Sequence, residues 1–245
     1  MGLLIDRKTL AAAADCASRD KGAYALNAVY VDSDGSIVAA DRSHLIAISP
    51  GADKPDDFPA QVQADIPATG LLLPVDFAQS LSKAIPKNSG AVPIKPILGN
   101  ACLTATEGGT ATFTTTDLQT QSQHQAVLVE GKFPVWKAVM ADGYGKAKAR
   151  ITLDARRLAH LAKVAASLSA GESSQVELYI GEEGDPILMR VDMGEGRIAA
   201  AMCMPIDPDD AGKPMLLTDW ERGIGAKKLM KREASPKPQP IEAAA

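Results

Sequence analysis

An α+β fold assembled from three copies of one unit is what this sequence predicts. Each copy is a short apolar strand that runs into an amphipathic helix and then into alternating strands. Similar openings stand at Gly2-Leu3-Leu4-Ile5-Asp6, Gly70-Leu71-Leu72-Leu73-Pro74 and Ala149-Arg150-Ile151-Thr152-Leu153-Asp154. Each hands over to a helix-start signal, with Asp6 and Asp154 as N-cap candidates and Pro74 at or near the first turn. Repetition of a strand-helix-strand unit points to an architecture built by stacking such units.

In the first unit, Leu10, Ala13, Ala14 and Ala17 share one helical face, while Lys8, Asp15 and Arg19 lie opposite. Strands are expected over 24–31, 37–40 and 45–49, with Ser33-Asp34-Gly35-Ser36 as the turn between the first two. A loop rich in Pro, Asp and Gly over 50–67 leads into the second unit. Its helix is expected to bury Phe77, Leu81 and Ile85, to show Lys83 outward and to stop at Pro86. Strands over 92–98, 101–106, 110–115 and 123–129 follow, with Glu107-Gly108-Gly109 as a tight turn. Residues 143–148 read as a connector, with glycines for flexibility and Lys146 and Lys148 for solvent.

The third helix is the clearest in pattern. Leu158, Leu161, Ala162, Ala165 and Leu168 are expected inward, and Arg156, His160, Lys163 and Ser167 outward. Strands over 176–180, 186–192 and 197–204 complete the unit. Beyond it, 207–214 reads as a linker, 218–232 as a helix, and 233–245 as a Pro- and Ala-rich segment without core-forming residues.

Composition narrows the class. The chain has 245 residues, 46% of them hydrophobic but only 4% aromatic, so Ala, Leu, Val, Ile and Met must build the core. A net charge of −4 argues against a surface that is basic all over, while leaving room for a local basic stripe. Three cysteines, Cys16, Cys102 and Cys203, are odd in number and far apart, which fits a reducing cytoplasm and no disulfide framework. No basic leader with a cleavage site and no apolar run of about 20 residues stands out, so a soluble cytoplasmic chain is expected, with no membrane partner.

Three motifs, the first of them with the strand that precedes it, stand in co-linear order and resemble the bacterial DNA polymerase III beta subunit, the DNA sliding clamp family. Val38-Ala39-Ala40-Asp41-Arg42-Ser43-His44-Leu45-Ile46 is similar to the family's Val-Ala-Thr-Asp-Gly-His-Arg-Leu-Ala run. Before it, Tyr24-Ala25-Leu26-Asn27-Ala28-Val29 resembles the Tyr-x-Leu-Asn-Gly strand. Gly131-Lys132-Phe133-Pro134-Val135-Trp136 matches a Gly-x-Phe-Pro-x-Tyr stretch, and Ala200-Ala201-Met202-Cys203-Met204-Pro205-Ile206 a terminal Met-Pro-Met strand. The departures are Ala40, Arg42 and Ser43, where the family run has Thr, Gly and His. The resemblance spans residues 3–206 and implies a DNA-clamp fold. A family chain has three domains of two units each, so three units correspond to one complete clamp domain plus a half domain. On that reading 1–140 is a complete domain like the clamp's middle one, 141–206 is half of a clamp C-terminal domain, and 207–245 is linker and tail.

What the resemblance implies for function is a sliding clamp or clamp-like processivity factor that tethers a polymerase or other DNA enzyme. Clamp helices line the hole, so basic helix residues would face the phosphates of double-stranded DNA without reading its sequence. The positions are Arg156, Arg157, His160 and Lys163, with Lys8, Arg19 and Lys83 on the other helices. The plainer alternative is a solvated helix face. The family also takes short partner motifs in an apolar groove, which by position falls on Leu26, Ala40, Arg42, His44, Leu45, Pro134, Val139, Met204, Pro205 and Ile206. An apolar slot with Met flexibility suits varied peptides. The alternative is that Leu26, Leu45, Val139 and Met204 are ordinary core residues.

Enzyme chemistry finds no support in the residues. His44, His124 and His160 stand at no metal-ligand spacing with one another or with a cysteine, and no serine sits in a nucleophile elbow. Gly223-Ile224-Gly225-Ala226-Lys227-Lys228 lacks the Gly-Lys-Ser/Thr ending of a phosphate loop. No catalytic residue, metal or cofactor is expected. A second reading is a protein-interaction module that keeps the groove, does not encircle DNA and acts as a clamp mimic or decoy. A homo-oligomer, dimer or tetramer, is expected because a single third unit leaves an apolar face half covered. The short form suggests a phage or mobile-element protein.

Overall fold

The computed structural model describes residues 3–50, 64–86, 99–146, 151–169, 174–181, 185–194, 197–206 and 218–224. The chain divides into two compact units, Met1–Trp136 and Lys137–Ala245. No helix among the described residues is long and apolar enough to cross a membrane.

In the first unit, β1 (Leu4–Asp6) runs into α1 (Arg7–Cys16), whose N-terminus is held by the Asp6 carboxylate accepting from the amides of Lys8 and Thr9. After a 3-10 turn over Lys21–Leu26 come β2 (Ala28–Val31), β3 (Ile37–Ala40) and β4 (Leu45–Ile48). The second repeat follows as β5 (Leu71–Pro74), α2 (Val75–Ala84), β6 (Asn100–Glu107), β7 (Thr110–Thr116) and β8 (Gln121–Val127). Pro74 is itself the N-cap of α2 and offers no side-chain bond; Asp76 in the first turn complements the helix dipole instead.

The two repeats exchange their opening strands. One antiparallel sheet has the order β4-β3-β2-β5, the other β1-β6-β7-β8. Thus β5 pairs with β2 of the first repeat, Leu73 opposite Val29 and Leu71 opposite Val31. In return β1 pairs with β6 of the second, Ile5 opposite Ala101, extended by the Leu103 amide donating to Leu3 O at 3.0 Å. The Val129 amide donates to Leu72 O at 2.9 Å and joins the sheets along one seam. Along the other, between β1 and the β3–β4 hairpin, lies a shallow cleft lined by Leu4, Ile5, Thr9, Ile37, Ile48 and Pro50.

One core serves both repeats. Leu10, Ala13, Ala14 and Ala17 of the first and Val75, Ala78, Leu81 and Ile85 of the second are buried in it, together with Val29, Leu73, Leu103 and Phe113. The small side chains of α1 let α2 pack against it, and the Arg7 guanidinium donates to Ile85 O at 3.0 Å across the pair. Phe77 is half buried, tilted against Phe113 with ring centroids 5.9 Å apart. Gly70 has φ +72, and a Cβ there would run into the Tyr30 ring, so the entry to β5 requires glycine.

Residues 131–136 strap the end of the second repeat onto the first. Phe133 stacks on Tyr30 with centroids 4.9 Å apart, and the Trp136 indole donates to Asp32 Oδ2 at 2.9 Å in a buried setting. From Trp136 the chain enters α3 (Trp136–Lys146), at whose start the two units divide.

In the second unit, residues 151–153 precede α4 (Ala155–Leu168), capped by Asp154. A three-stranded antiparallel sheet follows in the order β11-β10-β9, formed by β9 (Val176–Tyr179), β10 (Ile187–Gly194) and β11 (Arg197–Cys203). Arg190 donates to its cross-strand partner Glu177 at 2.7 Å. The Ile206 amide donates to Thr152 O at 2.9 Å. The core here is small: Ala165, Met189 and Val191 are buried, with Leu158, Leu161, Ala199 and Ala201 packed partly against them. A last short helix, α5 (Asp219–Gly223), starts at a capping box between Thr218 and Glu221.

Four expectations are corrected. The strand foreseen over 24–31 begins only at Ala28, because the Asp20 carboxylate takes the Gly22 amide at 2.9 Å and winds the preceding residues into a 3-10 turn. The connector read at 143–148 is helical as far as Lys146, despite Gly143 and Gly145. In α4 only Ala165 is buried; Leu158 and Leu161 are half covered, and Ala162 and Leu168 are exposed. The third opening forms no ladder among the described residues, unlike β1 and β5. The strand expected over 92–98, the linker at 207–214 and the tail from 225 onward lie outside the described residues.

The strap yields a direct test. Asp32→Ala leaves the buried Trp136 indole N–H without this acceptor, a loss of about 1–3 kcal/mol. Urea denaturation should show a lowered midpoint with an unchanged m-value.

Candidate functional site

Each of the three helices exposes basic side chains, and two of the places they take on α4 are basic on one other helix each and acidic on the third. Counted from the caps Asp6, Pro74 and Asp154, Lys8 takes the place of Arg156, and Lys83 that of Lys163. All are exposed, as are Arg157 and His160. Arg156, His160 and Lys163 follow one another at i, i+4 and i+7, which sets them along one face of α4. The Asp154 cap orients the start of that row, accepting from the Arg156 amide at 2.8 Å. Arg157 lies off the row with its Nε 3.8 Å from Asp154 Oδ2. Arg19 sits beyond the end of α1, paired with Asp15 at 3.5 Å. On exposed side chains such pairs are screened and contribute little to stability, so the charges remain available to a polyanion.

The apolar candidates of the first unit meet around one amide. Ser18 N–H donates to Leu26 O at 2.9 Å and to Ala40 O at 3.2 Å, which draws the end of the 3-10 turn against the end of β3. Leu45 stands opposite Ala40 in the ladder. Between them, the Asp41 carboxylate accepts from the amides of Ser43 at 2.6 Å and His44 at 2.9 Å and closes the turn. The exposed Arg42 reaches back to Asp20 Oδ2 at 3.3 Å and bridges the two loops. His44 is exposed with its Nδ1 3.1 Å from Asp41 Oδ1. Pro134 is exposed on the strap, whose Gly131 lies against Ala25. Leu26, Ala40, Arg42 and Leu45 are therefore neighbours, with a floor of backbone hydrogen bonds.

The remaining candidates belong to the second unit. Val139 is exposed on α3, and Met204 is exposed just past β11. Pro205 and Ile206 are half buried, the latter tied to Thr152 through its amide.

Sequence reasoning passed over Tyr24, which is 77% exposed beside Leu26. Its backbone is held at φ 42 inside the turn, a region where non-glycine residues are uncommon. It also passed over Ser18, Asp20 and Asp41, whose side chains fix the loops. The Asp-x-Gly at 20–22 and Asp-x-Ser at 41–43 are the visible signals, each an Asx-type turn. His124, which stood out only as one of three histidines, is a strand residue 3.0 Å from Thr115 Oγ1.

Among solved structures, the chain is similar to the beta sliding clamp of Caulobacter crescentus, with a TM-score of 0.53 and 20% identity over 83% of this chain and 50% of that one. It is also similar to the sliding clamp of Pseudomonas aeruginosa solved with griselimycin, at 0.55, 16%, 84% and 50%. The DNA polymerase III beta chain of Streptococcus pneumoniae gives 0.54, 17%, 84% and 50%. The fold is that of a DNA clamp, and the chain spans about half the length of the clamps it matches. No family model and no curated protein matches the chain.

The Ser43 and His44 amides hold the Asp41 carboxyl below the usual carboxylate range. A depressed folded-state pKa stabilises above the unfolded value, and that contribution is lost as pH falls through the folded one. Carboxyl NMR should find Asp41 titrating below an unperturbed Asp, and Ser43→Pro, which removes the first of these donors, should raise it.

Proposed function

We propose that this protein is a clamp-like processivity factor that holds a DNA enzyme on double-stranded DNA without reading its sequence, and that it performs no catalysis. The observation that carries this is the DNA-clamp fold together with the exposed basic row Arg156, His160 and Lys163 along one face of α4. A sliding contact needs charge that meets phosphates wherever they fall, and Arg156, His160 and Lys163, with Arg157, Lys8, Arg19 and Lys83, meet that requirement. Under this reading the first unit acts as a complete clamp domain and the third repeat as a half domain, in a soluble cytoplasmic protein.

The partners are polymerases or other proteins with a short clamp-binding motif. Leu26 and Leu45, neighbours in the first unit with Ala40 buried behind them and Arg42 exposed beside them, offer one apolar surface for such a motif. Val139, Met204, Pro205 and Ile206 of the second unit are further candidates for contact with it. A homo-oligomer, dimer or tetramer, belongs to this reading. The net charge of −4 favours a second reading, a non-encircling decoy that keeps only the groove.

Titration of a labelled duplex should show binding that weakens steeply between low and physiological salt, and Arg156, His160 and Lys163 changed together to Ala should lower it without unfolding the chain. Binding untouched by that change but lost on neutralising Lys227, Lys228, Lys231 and Arg232 would move DNA to the tail. Peptide binding with no DNA binding at low salt would select the decoy.

For the groove, a short clamp-binding peptide should bind with micromolar affinity, roughly −8 kcal/mol. Leu45→Asp and Met204→Glu should each abolish it in calorimetry. Affinity unchanged in both variants would remove these residues from the site.

A further inference from the structure

The first unit consists of two repeats that complete each other. The second holds one repeat of the same make, and nothing among the described residues stands in the complementary place. We propose that this repeat pairs with the same repeat of a second copy of the chain, α4 against its counterpart and residues 151–153 along the other copy's β9. The inference stands on the strand exchange in the first unit and does not depend on a role on DNA.

The strands argue first. In the first unit each opening strand lies on the first strand after the helix of the other repeat: β5 on β2, and β1 on β6. That cover leaves Val29 and Val31 of β2 at 0% exposure. Among the described residues the corresponding strand of the third repeat, β9, is an edge, with Leu178 48% and Tyr179 55% exposed. Open edges of this kind invite pairing with another chain.

The opening segment is poised in the same way as β5. Ile206 N–H donating to Thr152 O is the counterpart of Val129 N–H donating to Leu72 O. In β5 the groups of Leu72 turn to that seam while Leu71 and Leu73 face β2, since backbone groups alternate sides along a strand. The same alternation leaves Ile151 and Leu153 facing a side on which no described strand lies.

The helix argues independently. Counted from the caps, Ala13, Leu81 and Leu161 correspond, as do Ala14, Ser82 and Ala162. The first two of each set are buried where α1 and α2 pack; Leu161 is only half buried and Ala162 is exposed. The basic row does not oppose the pairing. Arg156, His160 and Lys163 take the places of Lys8, Ala12 and Asp15, and of Asp76, Ser80 and Lys83, all of which stay exposed in the first unit.

The occupant must bring an opening strand, a helix with small inward side chains and an open strand edge, in that order along the chain. The first two repeats have spent theirs on each other. An identical third repeat has all three, and lacks the same three covers, so a two-fold axis satisfies both copies at once.

Sedimentation equilibrium of the full chain at micromolar concentration should read a dimer or an assembly of dimers, and Ala162→Glu should halve its mass with an unchanged far-UV spectrum. Amide exchange needs no substitution: protection at 151–153 and 176–179 should rise from nanomolar to micromolar protein. A monomer throughout, a mass indifferent to Ala162→Glu in a folded variant, or exchange at those amides that ignores concentration would each overturn the proposal.

Discussion

Every part of the first unit depends on the exchange of opening strands between its two repeats. The apolar strands β1 and β5 are too short to stand alone, and their ladder partners lie in the other repeat's sheet. Leu73 and Ile5 are thereby carried into a core neither repeat could close. Truncating one such buried side chain to alanine typically costs about 2–5 kcal/mol, a large share of a domain's net stability. The two repeats must therefore form together, and the packing of α1 on α2 follows from where the strands go.

Much of this was legible in the sequence. The caps Asp6 and Asp154, the apolar faces of α1 and α2 and the hairpin at 33–36 are local signals, and local chemistry decides them. The exchange itself was not legible. An apolar tetrapeptide such as Leu71-Leu72-Leu73-Pro74 states that it will be buried in a sheet, without stating whose. The misread strand at 24–31 has a local cause as well. Alternation in Tyr24-Ala25-Leu26 is outweighed by the Asp20 carboxylate and by the Asn27 amide donating to Ser18 O at 2.6 Å. In α4 the periodicity matches the one buried position, Ala165, and the rest of the apolar face has little cover among the described residues, which no pattern within the helix can report.

The candidate sites divide along the same line. Exposure of the basic helix positions follows from periodicity, because the face opposite an apolar stripe must meet solvent, so Arg156, His160 and Lys163 could be read directly. The apolar neighbours around Ser18 could not. Leu26, Ala40 and Leu45 are brought together by one shared amide and by the Asp41 turn, contacts between loops distant in sequence. The Gly-x-Phe-Pro-x-Trp motif at 131–136 turns out to have an architectural use. Phe133 and Trp136 fasten it to Tyr30 and Asp32, which leaves Pro134 on the outside.

The helix α4 combines two surfaces with different physical demands. One is an apolar face whose counterparts in α1 and α2 lie inside a core, and which here remains partly open. The other is a basic row whose counterparts remain in solvent whether or not the apolar face is covered. Because the two lie on separate sides of one cylinder, covering the first neither buries nor neutralises the second. Covering would add contacts to a helix that is otherwise held by a small core of Ala165, Met189 and Val191. On the proposed reading, association of third repeats would be coupled to contact with a polyanion through the number of rows presented. Charge density along a phosphate backbone rewards that doubling, since each added cation releases further counterions.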